Sequence, residues 1–320
     1  MVQPSEDLKV LSFKIFCDLI YRDLPESMEF ELRDLLKLRE TIWLEVTKGG
    51  ICRFSFSQFL PTATNRTLRL FKSKWEEFND RAYRRAKSLD PESGALIILL
   101  YSALEEGRMH KIEVLHTLDE LLFENLDVSL GALAWNMIFL AAHPEVQARL
   151  RNEVTQVKQQ GSGAWDEYLL GNSNLLMACI LESARLKPIV LFTTVQAIPS
   201  ERVVDGFVVP AGTHFVVDTH ALNVSDPYWG KESELYQPDR FLRDRNLTSE
   251  RYRYFRFGFG PRNCLGKYII DVFLKLTMAY AVEHFEMELP EGEQLGLDGS
   301  KSQAMKFLDL PTNKIIYKEL

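Results

Sequence analysis

The order of residues predicts a mainly α-helical fold with a small β part in the C-terminal half, and three observations carry that prediction. Apolar residues recur at helical spacing through 8–187, punctuated by prolines and glycines. The stretch 190–217 then turns rich in Val, Thr and Phe, with turn dipeptides at Asp205-Gly206 and Ala211-Gly212. Helical spacing returns from Cys264 to about His284.

The elements follow in order. A first helix is expected over 8–21, stopped by Pro25, and a second over 30–47, stopped by Gly49-Gly50. A long basic helix covers 64–87, and Pro91 restarts a helix through the apolar run 96–104. From 109 to 142 the only breaker is Gly131, which predicts one long helix ending before Pro144. Pro144 is a good first position for the next, over 144–157. Residues 161–163 read as a loop, and Ser173 or Asn174 caps a helix that ends before Pro188. Short strands in hairpins are expected in 190–217, no regular periodicity over 223–262, and small strands in the tail around 313–317.

Hydrophobic residues make up 46% of the 320 and charged residues 26%, the balance of a globular chain with a sizeable core. The net charge of -7 argues against nucleic acid as a partner. Cys17, Cys52, Cys179 and Cys264 are far apart and form no CxxC pair, which speaks against a zinc site or a disulfide framework. The opening residues show no secretory signal. The run 94–104 is too short to cross a bilayer, which takes about 20 residues, so no transmembrane segment is expected in the chain.

One stretch carries chemistry: Phe257-Gly-Phe-Gly-Pro-Arg-Asn-Cys-Leu-Gly266. It sets Cys264 at the start of a helix, where unpaired N–H groups and the positive dipole end favour a thiolate. Gly258 and Gly260 allow a tight turn, and Gly266 lets a flat ring approach the helix. The stretch resembles the Phe-x-x-Gly-x-Arg-x-Cys-x-Gly signature of the cytochrome P-450 family. The resemblance implies that Cys264 ligates the iron of haem b, that Phe257, Gly260, Arg262 and Gly266 help bind the cofactor, and that Arg262 pairs with a propionate. A thiolate ligand pushes electron density onto iron and favours O–O cleavage.

Two further segments fit the same family. Glu182-Ser-Ala-Arg185 resembles its Glu-x-x-Arg motif, and Pro238-Asp-Arg240-Phe241 its partner segment. Alone the motif says nothing, since Glu105–Arg108 and Glu250–Arg253 match it too; the order along the chain selects Glu182. Glu124-Asn-Leu-Asp-Val-Ser129 resembles the oxygen-binding segment of the long helix, with Asp127 on the acid. Val128 stands where the family usually has a threonine, so Glu124, Asp127, Ser129 or ordered water is expected to replace the missing hydroxyl. The bland reading has these polar groups only satisfying one another within a helix crossing. After Pro188, Gln196 takes the place of a propionate-binding arginine. Arg243, Arg245, Arg251, Arg253, Arg256 and Lys267 surround the cysteine loop, on the family's electron-donor face.

The resemblance implies a cytochrome P-450 fold lacking its N-terminal helices and strands. The chain is then a single partial domain over 1–320: helical 1–188, hairpins and loops 189–256, haem-binding loop and helix 257–284, C-terminal strands 285–320. It implies a monooxygenase that uses dioxygen, a small organic substrate and electrons from an NADPH-dependent flavoprotein reductase. The 126–129 and 188–196 segments resemble fungal members that act on secondary metabolites. The implied location is the cytoplasmic side of the endoplasmic reticulum for an anchored full-length form, and the cytoplasm for the chain as given. The alternative is a non-catalytic remnant or partner-binding protein of the same fold.

Overall fold

A computed structural model describes residues 1–243, 252–260, 263–293, 295, 308 and 310–320, for Glu124 and Asn125 the backbone only. It is mainly α-helical with three two-stranded antiparallel sheets among the described residues. The chain divides into two units, one of Val10–Leu126 and one of Met1–Lys9 with Asp127–Leu320.

The first unit holds most of α2 (Lys9–Tyr21), then α3 (Glu26–Thr47), α4 (Ala63–Leu89), α5 (Leu96–Glu105) and α6 (Lys111–Asp119). Helix α3 begins earlier than its apolar spacing suggests: Pro25 stands at its N-cap position, its carbonyl accepting from Met28 N at 2.8 Å, and Glu26 and Glu29 suit the positive end of its dipole. The Thr62 hydroxyl accepts from Asn65 N at 3.1 Å and so caps α4. The core is aromatic: Phe71, Trp75, Phe78 and Phe123 pack together, and Tyr21 meets Phe78 edge-on at 5.5 Å. Two polar tips inside it are paired. Tyr21 Oη donates to Asn79 Oδ1 at 3.0 Å, and Trp75 Nε1 donates to Leu115 O at 2.9 Å.

The expected single helix over 109–142 is present as one helical run, Lys111–Ala142, that changes its hydrogen bonding part-way. A π turn, Glu120–Glu124, separates α6 from α7 (Asn125–Ala142). Such turns insert within helices without any proline or glycine to announce them. The whole run Lys111–Ala142 is long and apolar enough, by length and composition, to cross a membrane, and 76% of its apolar window is buried inside the protein. The core helix of a soluble protein passes the same test. The run 94–104 was therefore the wrong stretch on which to judge membrane spanning; 128–142 is longer and also uncharged.

The second unit is built on α7, α8 (Pro144–Gln159), α9 (Ser162–Leu170), α10 (Leu175–Leu186) and α12 (Lys267–His284), with the short α11 (Asp239–Arg243). Helix α12 packs against α8, α9 and α10, and its inward face (Ile270, Phe273, Leu274, Met278, Val282) joins their apolar residues in one core. Helix α9 lies where a loop was expected at 161–163. It is short and carries Gly163, so tertiary contacts rather than propensity hold it. Lys275, buried on α12, donates from Nζ to Leu169 O at 2.9 Å, Gly171 O at 2.7 Å and Asn172 Oδ1 at 3.2 Å, which occupies carbonyls at the end of α9. Burial draws the Lys275 ammonium below the ordinary lysine range.

Strand β1 (Gln196–Ala197) pairs with β4 (His214–Phe215), and β2 (Arg202–Val204) with β3 (Phe207–Val209). The β2–β3 turn is Asp205-Gly206, both with positive φ (49° and 80°), the conformation that an Asp-Gly hairpin turn demands. Strand β5 (Phe285–Glu288) pairs with β6 (Ile316–Glu319). Val2 bridges to Ile315, and Ser5 Oγ, on the short α1 (Pro4–Asp7), donates to Pro311 O at 2.6 Å, tying residues 2–5 to the tail. On α7, a Cβ on Gly131 would meet Leu310 Cδ2 at 2.6 Å and Ile189 Cδ1 at 3.3 Å, so the missing side chain is what admits both.

Candidate functional site

The cysteine loop hangs between two anchors. On its entry side, Arg256 pairs with Asp271 of α12 at 2.6 Å and lies over the Phe257 ring at 4.3 Å. Phe257 packs against the core of the second unit. Gly258 and Gly260 then take φ of 80° and 71°, left-handed values that a side chain would oppose. On its exit side, Cys264 N donates back to Phe257 O at 2.8 Å and Asn263 N to Gly260 O at 3.2 Å, closing the loop on itself. Pro261 and Arg262 lie outside the described residues, and the expected Arg262 contact lies there with them.

Cys264 is a free, exposed thiol. Helix α12 starts three residues later than expected, at Lys267 with Gly266 as its N-cap, so the sulfur stands just ahead of the helix and not on its first turn. Gly266 leaves that approach open: an added Cβ would meet only Cys264 Sγ, at 3.8 Å. Leu265 beside it is 77% exposed and Phe259 36%. An accessible soft sulfur, an open glycine and exposed apolar neighbours suit a flat apolar ligand held through one sulfur.

Behind the loop lies a buried ionic network. Glu182 and Arg185 on α10 are both fully buried. Arg185 donates Nε to Glu182 Oε2 at 2.7 Å and Nη2 to Oε1 at 2.9 Å, a bidentate pair. Glu182 Oε1 also accepts from Gln237 N at 2.9 Å and from Arg240 Nε at 3.4 Å. Arg185 lies over the Trp229 ring at 4.9 Å and donates to Asn223 O at 3.1 Å. The expected meeting of Glu182, Arg185 and Arg240 is thus present, and it is buried, unlike a surface i, i+3 contact.

The polar segment of α7 is arranged differently. Ser129 is fully buried, whereas the Asp127 side chain is 51% exposed and pairs with Lys9 at 3.7 Å. Residues two apart on a helix do not share a face, so the structure does not bring Asp127 and Ser129 together. The Glu124 side chain lies outside the described residues. Gln196 is exposed on β1, paired with Phe215. Of the basic residues near the loop, Arg253 lies over Tyr228 at 4.4 Å and Lys267 over Tyr268 at 4.8 Å, and Arg243 is exposed; Arg245 and Arg251 lie outside the described residues.

The family profile described as Cytochrome P450 matches residues 2–313. The chain belongs to the cytochrome P450 family. It is 44% identical over 286 residues to Cytochrome P450 monooxygenase aclC of Aspergillus oryzae, covering 89% of this chain and 57% of that protein. It is 43% identical to Cytochrome P450 monooxygenase asaD of Aspergillus flavus (91% of this chain, 55% of that protein). It is 42% identical to Cytochrome P450 monooxygenase roqR of Penicillium rubens (90% and 56%). The chain therefore spans little more than half the length of these curated P450 relatives. Membership in the family implies a haem b cofactor, and the exposed sulfur and open Gly266 fit such a group.

Proposed function

We propose that this chain is the haem-binding portion of a P450 monooxygenase that inserts one atom of dioxygen into a small organic substrate, with electrons from an NADPH-dependent flavoprotein reductase. The observation that carries the reading is the exposed Cys264 thiol, set ahead of α12 by a loop whose entry side is tied to Asp271 and packs on the core. The fungal P450 relatives support a secondary metabolite as the substrate class. The cytoplasmic face of the endoplasmic reticulum is the proposed location of an anchored full-length form, and residues 1–320 are read as one partial domain of it.

In this reading Cys264 supplies the metal ligand, and Phe257, Gly260, Arg262 and Gly266 shape the cofactor's seat. When bound, haem supplies dioxygen activation, to which a thiolate ligand lends electron density. The protein's own share is to hold the sulfur at one height and hand protons along α7. Val128 offers no hydroxyl for that last task, so Asp127, Ser129 and Glu124 are the candidate carriers, with Lys9 fixing the Asp127 carboxylate.

The deciding experiment adds haem to the purified chain, reduces it under carbon monoxide and records the difference spectrum. A Soret band near ~450 nm in the wild type, absent in Cys264→Ser, is expected for thiolate ligation. A band near ~420 nm, or no uptake, would favour a non-catalytic remnant or a partner-binding protein of the same fold.

A further inference from the structure

Asn223 sits in a π turn (Ala221–Ser225) and is fully buried, yet no motif points to it. It touches two systems at once. Its backbone carbonyl accepts from Arg185 Nη1 at 3.1 Å, in the buried pair with Glu182. Its side chain grips one residue on both sides: Nδ2 donates to Phe255 O at 2.7 Å, and Oδ1 accepts from Phe255 N at 2.7 Å. Phe255 stands two residues before Phe257, whose carbonyl receives Cys264 N.

An amide that both donates to and accepts from one residue resists sliding as well as rotation, which a single hydrogen bond does not. Asparagine has the donor and acceptor to do this at this reach. Both Phe255 groups meet the buried Asn223 amide, so its loss takes away the partner of each. We propose that Asn223 is a positioning residue that carries the fixed place of Arg185 to the cysteine loop and so sets the height of Cys264. The proposal rests on the reading of Cys264 as the haem ligand only for its consequence, not for its geometry.

The second unit contains its own control. Gln147 on α8 grips Met287 in the same way, donating to its carbonyl and accepting from its N–H, both at 2.9 Å. Met287 lies on β5, outside the cysteine loop. Gln147→Leu removes a like grip, together with bonds to Leu140 O and from Arg151 Nη2, and only Asn223→Leu should reach Cys264.

The test measures amide hydrogen exchange across residues 252–264 in the full chain, wild type and both variants, followed by titration with haem and the reduced carbon-monoxide spectrum. In Asn223→Leu the Phe255 and Cys264 amides are expected to exchange about tenfold faster or more. Haem-loaded protein is expected to shift from the ~450 nm band toward ~420 nm. In Gln147→Leu those amides should stay within about twofold of wild type, while Met287 loses protection. Wild-type exchange at Phe255 and Cys264 in Asn223→Leu would overturn the role, and so would equal acceleration in Gln147→Leu. Should the leucine variant not fold, Asn223→Asp keeps the acceptor for Phe255 N and loses the donor. It is then expected to show an intermediate acceleration confined to the loop, and no acceleration there overturns the role as well. If the wild-type chain takes up no haem, the functional proposal fails, and the exchange rates still decide the role of Asn223.

Discussion

Asp127 is the residue on which sequence and structure lean in different directions. The motif sets it beside a missing threonine, while the structure shows its carboxylate half in solvent and paired with Lys9 at 3.7 Å. An ion pair so exposed is worth at most about 1 kcal/mol. Asp127→Asn should therefore leave the unfolding midpoint nearly unchanged. If the carboxylate hands on protons, the same change should cut coupled product formation in the complete enzyme by about 10²-fold or more. Product per NADPH equal to wild type would end that role and leave Glu124, Ser129 and ordered water. Cysteine 264 was legible because its glycines and arginine stand at fixed short distances along the chain. Asn223 and the Arg256–Asp271 pair were not, since each meets a partner brought in by folding from a separate element.

Among the elements, α10 does the joining. Its Glu182 holds Arg185 on the same helix, the Gln237 amide in the following loop and Arg240 on α11. Removing one partner of a buried pair strands the other's charge, at a cost of about 3–5 kcal/mol. Against a typical domain stability of ~5–15 kcal/mol, that is a large fraction. Glu182→Ala should lower the denaturant midpoint of the second unit far more than Glu105→Ala, whose carboxylate pairs with Lys87 at an exposed site. Equal effects of the two would refute a buried role for the network. Helices with strong signals were readable: Asn174 caps α10 through Met177 N at 2.9 Å, and Pro144 opens α8. The π turn at 120–124 was not readable, because an extra residue in a helix changes its hydrogen bonding without changing its composition. Helix α9 was hidden too, since what holds its end, Lys275, comes from a hundred residues further along.

At the scale of the molecule, the mainly α architecture and the small sheets followed from periodicity and turn residues, but the division at 126/127 did not. Nothing in the composition changes there, and the apolar pattern of 111–142 runs straight through. Both units bury phenols. Burial holds Tyr21 and Tyr101 in the first, and Tyr168, Tyr236 and Tyr254 in the second, above the ordinary tyrosine range, and pushes Tyr317 up to about 12. Folding thus favours the neutral phenols. The stability they contribute is whole below pH ~10, the unfolded value, and is lost as pH rises toward the folded values. Tyrosinate absorbance should therefore rise together with the loss of helical circular dichroism above pH ~10. Ionisation of all eleven tyrosines ahead of any loss of helix would contradict this burial.

Lys275 spends its three ammonium protons on Leu169, Gly171 and Asn172. An amine with no free lone pair and no exposed face is closed to acylating reagents for as long as α9 stays docked. Covalent labelling at that one nitrogen thus becomes a clock for local opening: it advances only in the moments when α9 lets go, and it keeps the record after the helix has returned.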